Sequence, residues 1–94
     1  MLSIRLLVWD DWNITHIARH QVSREEVEQA CHGDHIFLES YRGRLILIGP
    51  TAAGRILAVI LAPEGDDVYY VVTARSADRK ERRIYREQKG GVAG

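Results

Sequence analysis

Cysteine, proline and long apolar runs are scarce in this sequence of 94 residues. A single cysteine, Cys31, cannot form an internal disulfide bond, which excludes a disulfide-stabilised scaffold and is typical of the reducing cytoplasm. The longest apolar runs, such as residues 56–63, are far too short to span a bilayer. The N-terminus lacks the apolar core and the small-residue cleavage site of a signal peptide. We therefore expect a cytoplasmic protein without a membrane segment.

Net charge is also absent, because 13 basic side chains balance 13 acidic ones. The charges are unevenly placed, however. Residues 75–89 hold seven basic and three acidic side chains, a net charge of +4 that the rest of the chain offsets. Positive charge gathered at one end favours binding of a polyanion. A neutral total gives weak repulsion between copies, so a homodimer is a further expectation.

The composition indicates one folded domain. Hydrophobic residues make up 46% of the chain and charged residues 28%, which is ordinary for a globular protein and argues against disorder. A chain of this length can bury one modest core. We assign residues 1–89 to the domain and expect the glycine-rich residues 90–94 to form a flexible tail.

Capping signals predict three helices. Asp10 or Asp11 can cap a helix over residues 12–20, after an apolar strand at residues 4–9. Two further helices begin with the spacing of a capping box, in which the side chains of the first and fourth residues bond each other's backbone N–H. These pairs are Ser23 with Glu26 and Asp78 with Glu81.

Four strand-like segments lie between the second and third helices, at residues 35–41, 44–48, 55–62 and 68–74. Their connections are too short for parallel crossovers and favour antiparallel neighbours. The predicted order is β-α-α-β-β-β-β-α. It indicates an α+β fold with an antiparallel sheet of four to five strands, two N-terminal helices and a C-terminal helix, the helices packed mainly on one face.

Two of these strands, at residues 45–48 and 56–61, are apolar on both faces. Antiparallel sheets with one wet face alternate apolar and polar residues instead. Three short helices can cover one face of such a sheet but hardly two. Two interpretations stay open: curvature and long side chains cover the second face, or a second chain does.

The basic segment is the strongest candidate for a binding site. In a helix its arginines spread over adjoining faces, with Tyr85 near Arg82; the arginines are Arg79, Arg82, Arg83 and Arg86. Arginine suits phosphate because its planar guanidinium donates two parallel hydrogen bonds and stays charged. The alternative is a solvated terminal helix whose charge Glu81 and Glu87 partly neutralise.

Arg75 ends a strand beside the start of that helix, a place where a long cation often contacts a ligand. Strict alternation places it on the same sheet face as Tyr69, Val71 and Thr73.

His16 and His20 lie four residues apart on the helical face that also holds Trp12. This spacing can bind zinc, but no glutamate follows the first histidine directly and no third ligand is evident. A structural role is favoured, with both imidazoles closing the edge of the core beneath Trp9 and Trp12. A role for His20 as general acid or base, or as a phosphate contact, stays open.

With these residues in place, the chain resembles the BrnT family of bacterial type II toxins, small ribonucleases of RelE-like fold. Three segments spread over nearly the whole chain carry the resemblance. They are Trp9-Asp10 with Arg19-His20-Gln21-Val22-Ser23 and Glu25, Glu26 and Val27; Arg44-Leu45-Ile46-Leu47-Ile48-Gly49 with Gly54-Arg55-Ile56-Leu57; and Thr73-Ala74-Arg75 with Arg79-Lys80-Glu81-Arg82-Arg83 and Tyr85. The chain departs from the family where His16 stands in place of Asn and Gln21 in place of Gly.

The resemblance implies a RelE-like toxin domain that acts as a metal-independent endoribonuclease, inhibits translation and needs no cofactor. It implies RNA as substrate and, as partner, a cognate ribbon-helix-helix antitoxin that covers apolar sheet surface. Arg75, with Arg79 or Arg82, would stabilise the transition state, and His20 and Tyr85 would exchange protons. Arg44 and Arg55 would position the RNA backbone, while Arg83 and Arg86 would attract and hold it.

Two other functions remain open. A non-catalytic RelE-like module that binds a partner protein or nucleic acid would use the same arginines. A metal-dependent enzyme would use His16 and His20.

Overall fold

The computed structural model describes residues 3–90, without the side chains of residues 39–41. The predicted tail, residues 90–94, lies outside the described residues apart from Gly90. Within this range the helices and strands follow the predicted order. They are β1 (Leu6–Val8), α1 (Asp11–Ala18), α2 (Arg24–His32), β2 (Ile36–Tyr41), β3 (Arg44–Pro50), β4 (Ile56–Gly65), β5 (Val68–Ser76) and α3 (Arg79–Lys89).

The five strands form one sheet in the order β1-β5-β4-β3-β2. Strands β2 to β5 are antiparallel neighbours, and β1 pairs with β5 in parallel. A parallel partner is possible there because the chain between β1 and β5 is long enough for a crossover. The predicted α+β class is confirmed, and the sheet is mixed because of β1 alone.

Each helix begins with a capping box. In α2 the Ser23 hydroxyl accepts from the backbone N–H of Glu26 at 3.1 Å, and the Glu26 carboxylate accepts from the N–H of Ser23 at 3.0 Å. The predicted Asp78 and Glu81 pair caps α3 in the same way, with both bonds at 2.8 Å. In α1 the cap is Asp10, and its partner is Asn13. The caps fix where each helix starts relative to the sheet.

The larger core lies between one sheet face and helices α1 and α2. Its buried side chains come from both helices, from the turn that joins them and from four strands: Leu7, Ile17, Val22, Val27, Ala30, Cys31, Leu47, Leu57, Val59, Leu61, Tyr69, Val71 and Ala74. Burial raises the pKa of the Cys31 thiol to about 12, so this cysteine stays protonated and unreactive at neutral pH.

A second, smaller cluster lies on the opposite sheet face under α3. It contains Ile36, Ile48, Ala58 and Ala77, with Ile84 and Tyr85 of α3 packed against it. Two of the three described helices therefore share one face, as expected, and α3 covers part of the other.

A β-bulge in β5 changes which residues share a face. Ile60 pairs with Thr73 but Leu61 pairs with Val71, so one extra residue lies in β5 at this point. Val71 consequently faces the larger core, whereas Thr73 and Arg75 face the α3 side. The predicted grouping of Arg75 with Tyr69 and Val71 is wrong, because the extra residue of the bulge interrupts the alternation of side chains between the two faces of β5.

The α3 side of the sheet is only partly covered. Leu38, Ile46 and Ile60 remain partly exposed there, and Leu6 in β1 is 52% exposed. We call this region the open sheet face. Of the described helices, none has the length and apolar character that crossing a membrane requires.

Candidate active site

Arg75 is held at the end of β5 by a bidentate ion pair with Glu81. Its Nη1 and Nη2 donate to the two carboxylate oxygens at 2.7 and 3.0 Å. Glu81 is fixed in turn by the cap of α3, because its Oε1 also accepts from the backbone N–H of Asp78. The hydrogen bonds from Arg75 lower the pKa of the Glu81 carboxyl below its usual value. Glu81 therefore stays charged at neutral pH and fixes the plane of the guanidinium.

This ion pair leaves Arg75 able to bind a further anion. The side chain of Arg75 is 40% exposed, whereas that of Glu81 is 12% exposed. Besides the bonds to Glu81, Nη1 donates to the carbonyl of Ser76 at 3.3 Å. Among the described residues, the Nε–H and one N–H of Nη2 have no acceptor, and a guanidinium has five such donors. A phosphate oxygen can therefore bind Arg75 without displacing Glu81.

The predicted arginines of α3 differ in their surroundings. Arg82 is partly buried and donates from Nη1 to the carbonyl of Ala77 at 2.6 Å. Three others are exposed on the surface of the helix: Arg79, Arg83 and Arg86. They provide solvent-exposed positive charge on the same helix whose Glu81 holds the guanidinium of Arg75.

Tyr85 lies on the same face of α3 as Glu81, one helical turn further along, about 6 Å along the axis. Its hydroxyl donates to the carbonyl of Asp34. Burial, and then the charge of Asp34, raise the pKa of the Tyr85 phenol above its usual value. Tyr85 is therefore a proton donor at neutral pH and not a base.

His20 lies on the other side of the sheet end. It is exposed just after α1, and its ring meets that of His16 edge to face at 5.7 Å. Arg55 Nη2 contacts both the carbonyl of His20, at 3.4 Å, and the hydroxyl of Ser76, at 2.9 Å. His20 and Arg75 thus flank the end of β5 from opposite faces, and no hydrogen bond joins them within residues 3–90.

Arg55, predicted to position RNA, is occupied by internal contacts. Its guanidinium donates to the hydroxyl of Ser76, to the carbonyls of His20 and Gln21, and to the carboxylate of Glu26. It therefore ties the end of α1 to the start of α2 and to the end of β5. Whether it also contacts RNA stays a prediction.

Arg44 lies apart from this group. It begins β3 at the tip of the β2–β3 hairpin, next to the Leu45–Leu61 pair, whereas Arg75 is opposite Ala58. Three strand positions separate these pairs, which corresponds to about 10 Å along the sheet. Arg44 is exposed and lies, by alternation with Ile46, on the same face as Arg75.

The histidines do not close the core. His16 stacks on Trp12, which is 59% exposed, with ring centroids 4.8 Å apart and an interplanar angle of 7°. The predicted structural role beneath Trp12 is wrong, because this face of α1 points to solvent. Within the described residues, no three His, Cys, Asp or Glu side chains come together as metal ligands.

Two residues that the sequence analysis did not single out hold the site elements together. Asn13 is fully buried and donates from Nδ2 to the carbonyls of Val8 and Val71, at 2.9 and 3.1 Å. Ser76 accepts the two bonds from Arg55. The Asp10–Asn13 spacing is a capping signal that could have identified Asn13, whereas no local pattern marks Ser76.

No family model and no curated protein matches the chain. Its structure is similar to the 1.1 Å crystal structure of the Brucella abortus ribonuclease toxin BrnT, with a TM-score of 0.63 and 27% sequence identity. The similarity covers 79% of this chain and 97% of the Brucella chain, so it extends over nearly all of the Brucella structure. The resemblance found in the sequence motifs is confirmed at the level of the fold.

Proposed function

From the premise that this chain has a BrnT-like toxin fold, we propose that it is the toxin of a type II toxin–antitoxin system and a metal-independent endoribonuclease that inhibits translation. The observation that carries the proposal is the geometry of Arg75. Its guanidinium is fixed by Glu81, keeps donors open to solvent and lies at the start of an arginine-rich helix. This arrangement suits a phosphate whose negative charge increases during reaction.

The proposed reaction is an internal phosphoryl transfer within RNA. The ribose 2′-oxygen forms a bond to the adjacent phosphorus, and the bond from phosphorus to the 5′-oxygen of the next nucleotide breaks. The products are a 2′,3′-cyclic phosphate and a free 5′-hydroxyl. Arg75, with Arg79 or Arg82, stabilises the charge on the phosphorane-like transition state.

Two proton transfers accompany this step. His20 removes the proton of the 2′-hydroxyl, since the Tyr85 phenol keeps its proton at neutral pH. The Tyr85 hydroxyl then leaves the carbonyl of Asp34 and gives its proton to the departing 5′-oxygen. Because His20 and Arg75 flank the end of β5, the RNA backbone bends around this end, next to Ser76. Arg83 and Arg86 attract the strand to α3, and Arg44 extends the basic surface along the same sheet face.

The open sheet face supports a protein partner. Its side chains are apolar and partly exposed, which is unusual for a surface that stays in water. We assign it to a cognate ribbon-helix-helix antitoxin, which would neutralise the toxin by covering this face and α3.

Expression of the chain in a bacterium tests the proposal. We expect growth arrest with degradation of cellular RNA, and the loss of both effects with Arg75→Ala. Lys80→Ala is the matched control, because it removes a positive charge from the exposed surface of α3 without touching the Arg75–Glu81 pair. Full toxicity of Arg75→Ala would contradict the mechanism.

The separation of His20 from Arg75 favours a second candidate, a non-catalytic module that binds nucleic acid or a partner protein. Such a module needs the basic surface, but it does not need a general acid and a general base close to the same phosphate. It would bind RNA with an affinity that falls steeply with salt while leaving the RNA intact.

A further inference from the structure

Trp12 and His16 form a preassembled aromatic stack on the exposed face of α1. Their ring planes are nearly parallel, at 7°, with centroids 4.8 Å apart, and the ring of His20 lies edge to face with that of His16, at 5.7 Å. Trp12 and His16 are four residues apart and lie on one face of α1, and the edge-to-face contact of His20, just after the helix, extends them to a continuous row of three rings. We call these three rings the aromatic row.

Trp12, the outermost member of the row, is 59% exposed although it is one of the largest apolar side chains of the protein. His16 covers one face of the indole ring, so the exposed area includes the opposite face. The stack also restricts the rotamer of Trp12 before any ligand arrives. A ring held ready in this way loses little conformational entropy when a further ring stacks on it.

An open groove of about 370 Å³ lies beside the row and adds polar groups to it. It is lined by Asp11, Trp12, Thr15, His16 and Arg19. The Asp11 carboxylate can accept hydrogen bonds from the amino or imino groups of a base, whereas the Arg19 guanidinium can contact a phosphate. A flat ring with an acceptor at one end and a cation at the other suits a nucleotide.

The position of the row connects it to the candidate active site. The row ends at His20. Arg55 Nη2 donates both to the carbonyl of His20 and to the hydroxyl of Ser76, which lies at the end of β5. A strand of RNA that bends around that end would therefore continue along the row. The helix rises about 1.5 Å per residue, so the four steps from Trp12 to His16 correspond to about 6 Å along α1, and His20 continues the row just past the end of the helix.

We propose that the aromatic row is a binding subsite for unpaired bases of single-stranded RNA, with one base stacking on the free face of Trp12. This inference rests on the proposed ribonuclease function for its ligand. RNA-binding proteins commonly recognise unpaired bases by stacking them on aromatic side chains. Trp12 and His16 are then positioning residues that set where the RNA strand lies, while the reaction takes place at the His20 end of the row.

Binding of uncleavable RNA tests the subsite. The probe is a single-stranded 2′-O-methyl oligoribonucleotide, which cannot be cut because its 2′-oxygens are blocked, and a second probe of equal length and charge carries abasic positions. We expect Trp12→Ala to weaken binding of the first probe about 5- to 150-fold, the usual effect of removing one stacking side chain. Its affinity for the abasic probe should equal that of the unaltered protein.

Two further variants control for folding and position. Trp12→Phe keeps an aromatic ring and should restore most of the affinity. Ile14→Ala removes another exposed apolar side chain from the same helix, 37% exposed but outside the row, and should change neither affinity. Stacking should also quench the fluorescence of the unaltered protein with the first probe, and Trp12→Phe, which retains Trp9, should lose this quenching.

The inference is overturned if Trp12→Ala binds the first probe as tightly as the unaltered protein, or loses affinity equally for both probes. The first result, combined with loss of binding to a protein partner, would assign Trp12 to a protein interface. The test separates this inference from the proposed function. A chain that shows base-dependent binding through Trp12 but never cleaves RNA disproves only the ribonuclease. A chain that cleaves RNA while Trp12→Ala binds normally disproves only the subsite.

Discussion

Two arginines near the end of β5 show how burial and partners separate residues that look alike in sequence. Arg75 is held by one carboxylate and keeps donors open to solvent. The guanidinium of Arg55 donates hydrogen bonds to four groups of the protein itself. Both were predicted to contact RNA, and only Arg75 has a geometry that favours a bound phosphate.

The Arg75–Glu81 pair makes the stability of the fold depend on pH. The pKa of Glu81 is lowered in the folded protein from a usual value of 4.5. Its contribution is therefore present above pH 4.5 and is lost as the pH falls through the folded value. We expect Glu81→Gln to lower the free energy of unfolding at pH 7 by about 1–3 kcal/mol, and to flatten its decline below pH 4.5. Urea unfolding at several pH values measures both effects.

Glu87→Gln is the control for that experiment, because Glu87 is an exposed glutamate of the same helix. It should leave the free energy of unfolding within about 0.5 kcal/mol of the original. Equal losses for the two variants would contradict the assigned role of Glu81.

Gln21 adopts a left-handed backbone conformation, with φ at +61°, in the turn that joins α1 to α2. A side chain at Cβ makes this conformation unfavourable, whereas glycine adopts it freely. We expect Gln21→Gly to raise the free energy of unfolding by about 0.5–1 kcal/mol, measured by thermal or urea unfolding. Gln21→Ala keeps the Cβ and should give no gain, and an equal gain from alanine would show that backbone strain is not the cause.

At the scale of helices and strands, Arg55 links three elements that the chain brings together only through folding. Its removal leaves the carboxylate of Glu26 and the carbonyl of Gln21 without this donor. We expect Arg55→Ala to lower the free energy of unfolding by about 2 kcal/mol and to increase hydrogen exchange at the end of α1. Arg44→Ala, at the exposed hairpin tip, should change neither quantity. If Arg55→Ala left the stability unchanged and abolished RNA binding, Arg55 would be a ligand of RNA and not a structural link.

The elements themselves could be predicted from the sequence because each has a local signal. The capping boxes at Ser23 and Asp78 determine where α2 and α3 start, and short loops make β2 to β5 antiparallel neighbours. The bulge in β5 has no such signal, because it depends on how β4 and β5 pair and not on the residues of one strand. This single bulge decides that Arg75 faces α3.

Only the charged residues of the candidate site could be predicted from the sequence, because only they have a local signal. Arginines near a strand end are evident in the sequence, and the spacing of Asp78 and Glu81 predicted Glu81 as part of a helix cap. The hydroxyl of Ser76 and the exposure of Trp12 depend on contacts between distant segments, which no local pattern reports.

At the scale of the whole molecule, the zero net charge conceals a basic surface on α3 and at the end of β5. If four phosphates contact this surface, the logarithm of the RNA affinity should fall with the logarithm of salt concentration with a slope of about −3. Arg83→Ala and Arg86→Ala should each reduce the slope by about 0.7, measured with uncleavable RNA. Arg5 is an exposed arginine at the other end of the chain, and Arg5→Ala should leave the slope unchanged. An equal change in slope with Arg5→Ala would show that RNA binding depends only on the total charge of the protein and not on the basic surface.

The open sheet face bears on association of the whole chain. An apolar surface and zero net charge both favour contact between copies when no other protein covers the face. The homodimer expected from the sequence stays a prediction, and the sedimentation of the purified chain at several concentrations measures it.

The chemical groups at the ends of the cut RNA test the proposed ribonuclease reaction directly. Purified protein is incubated with single-stranded RNA in the presence of a metal chelator, and the products are analysed by mass spectrometry. We expect cleavage that leaves 2′,3′-cyclic phosphates and 5′-hydroxyls. Cleavage should be absent with Arg75→Ala, and it should fail on the same strand with 2′-O-methyl groups. Intact RNA, or products with 5′-phosphates and 3′-hydroxyls, would contradict it.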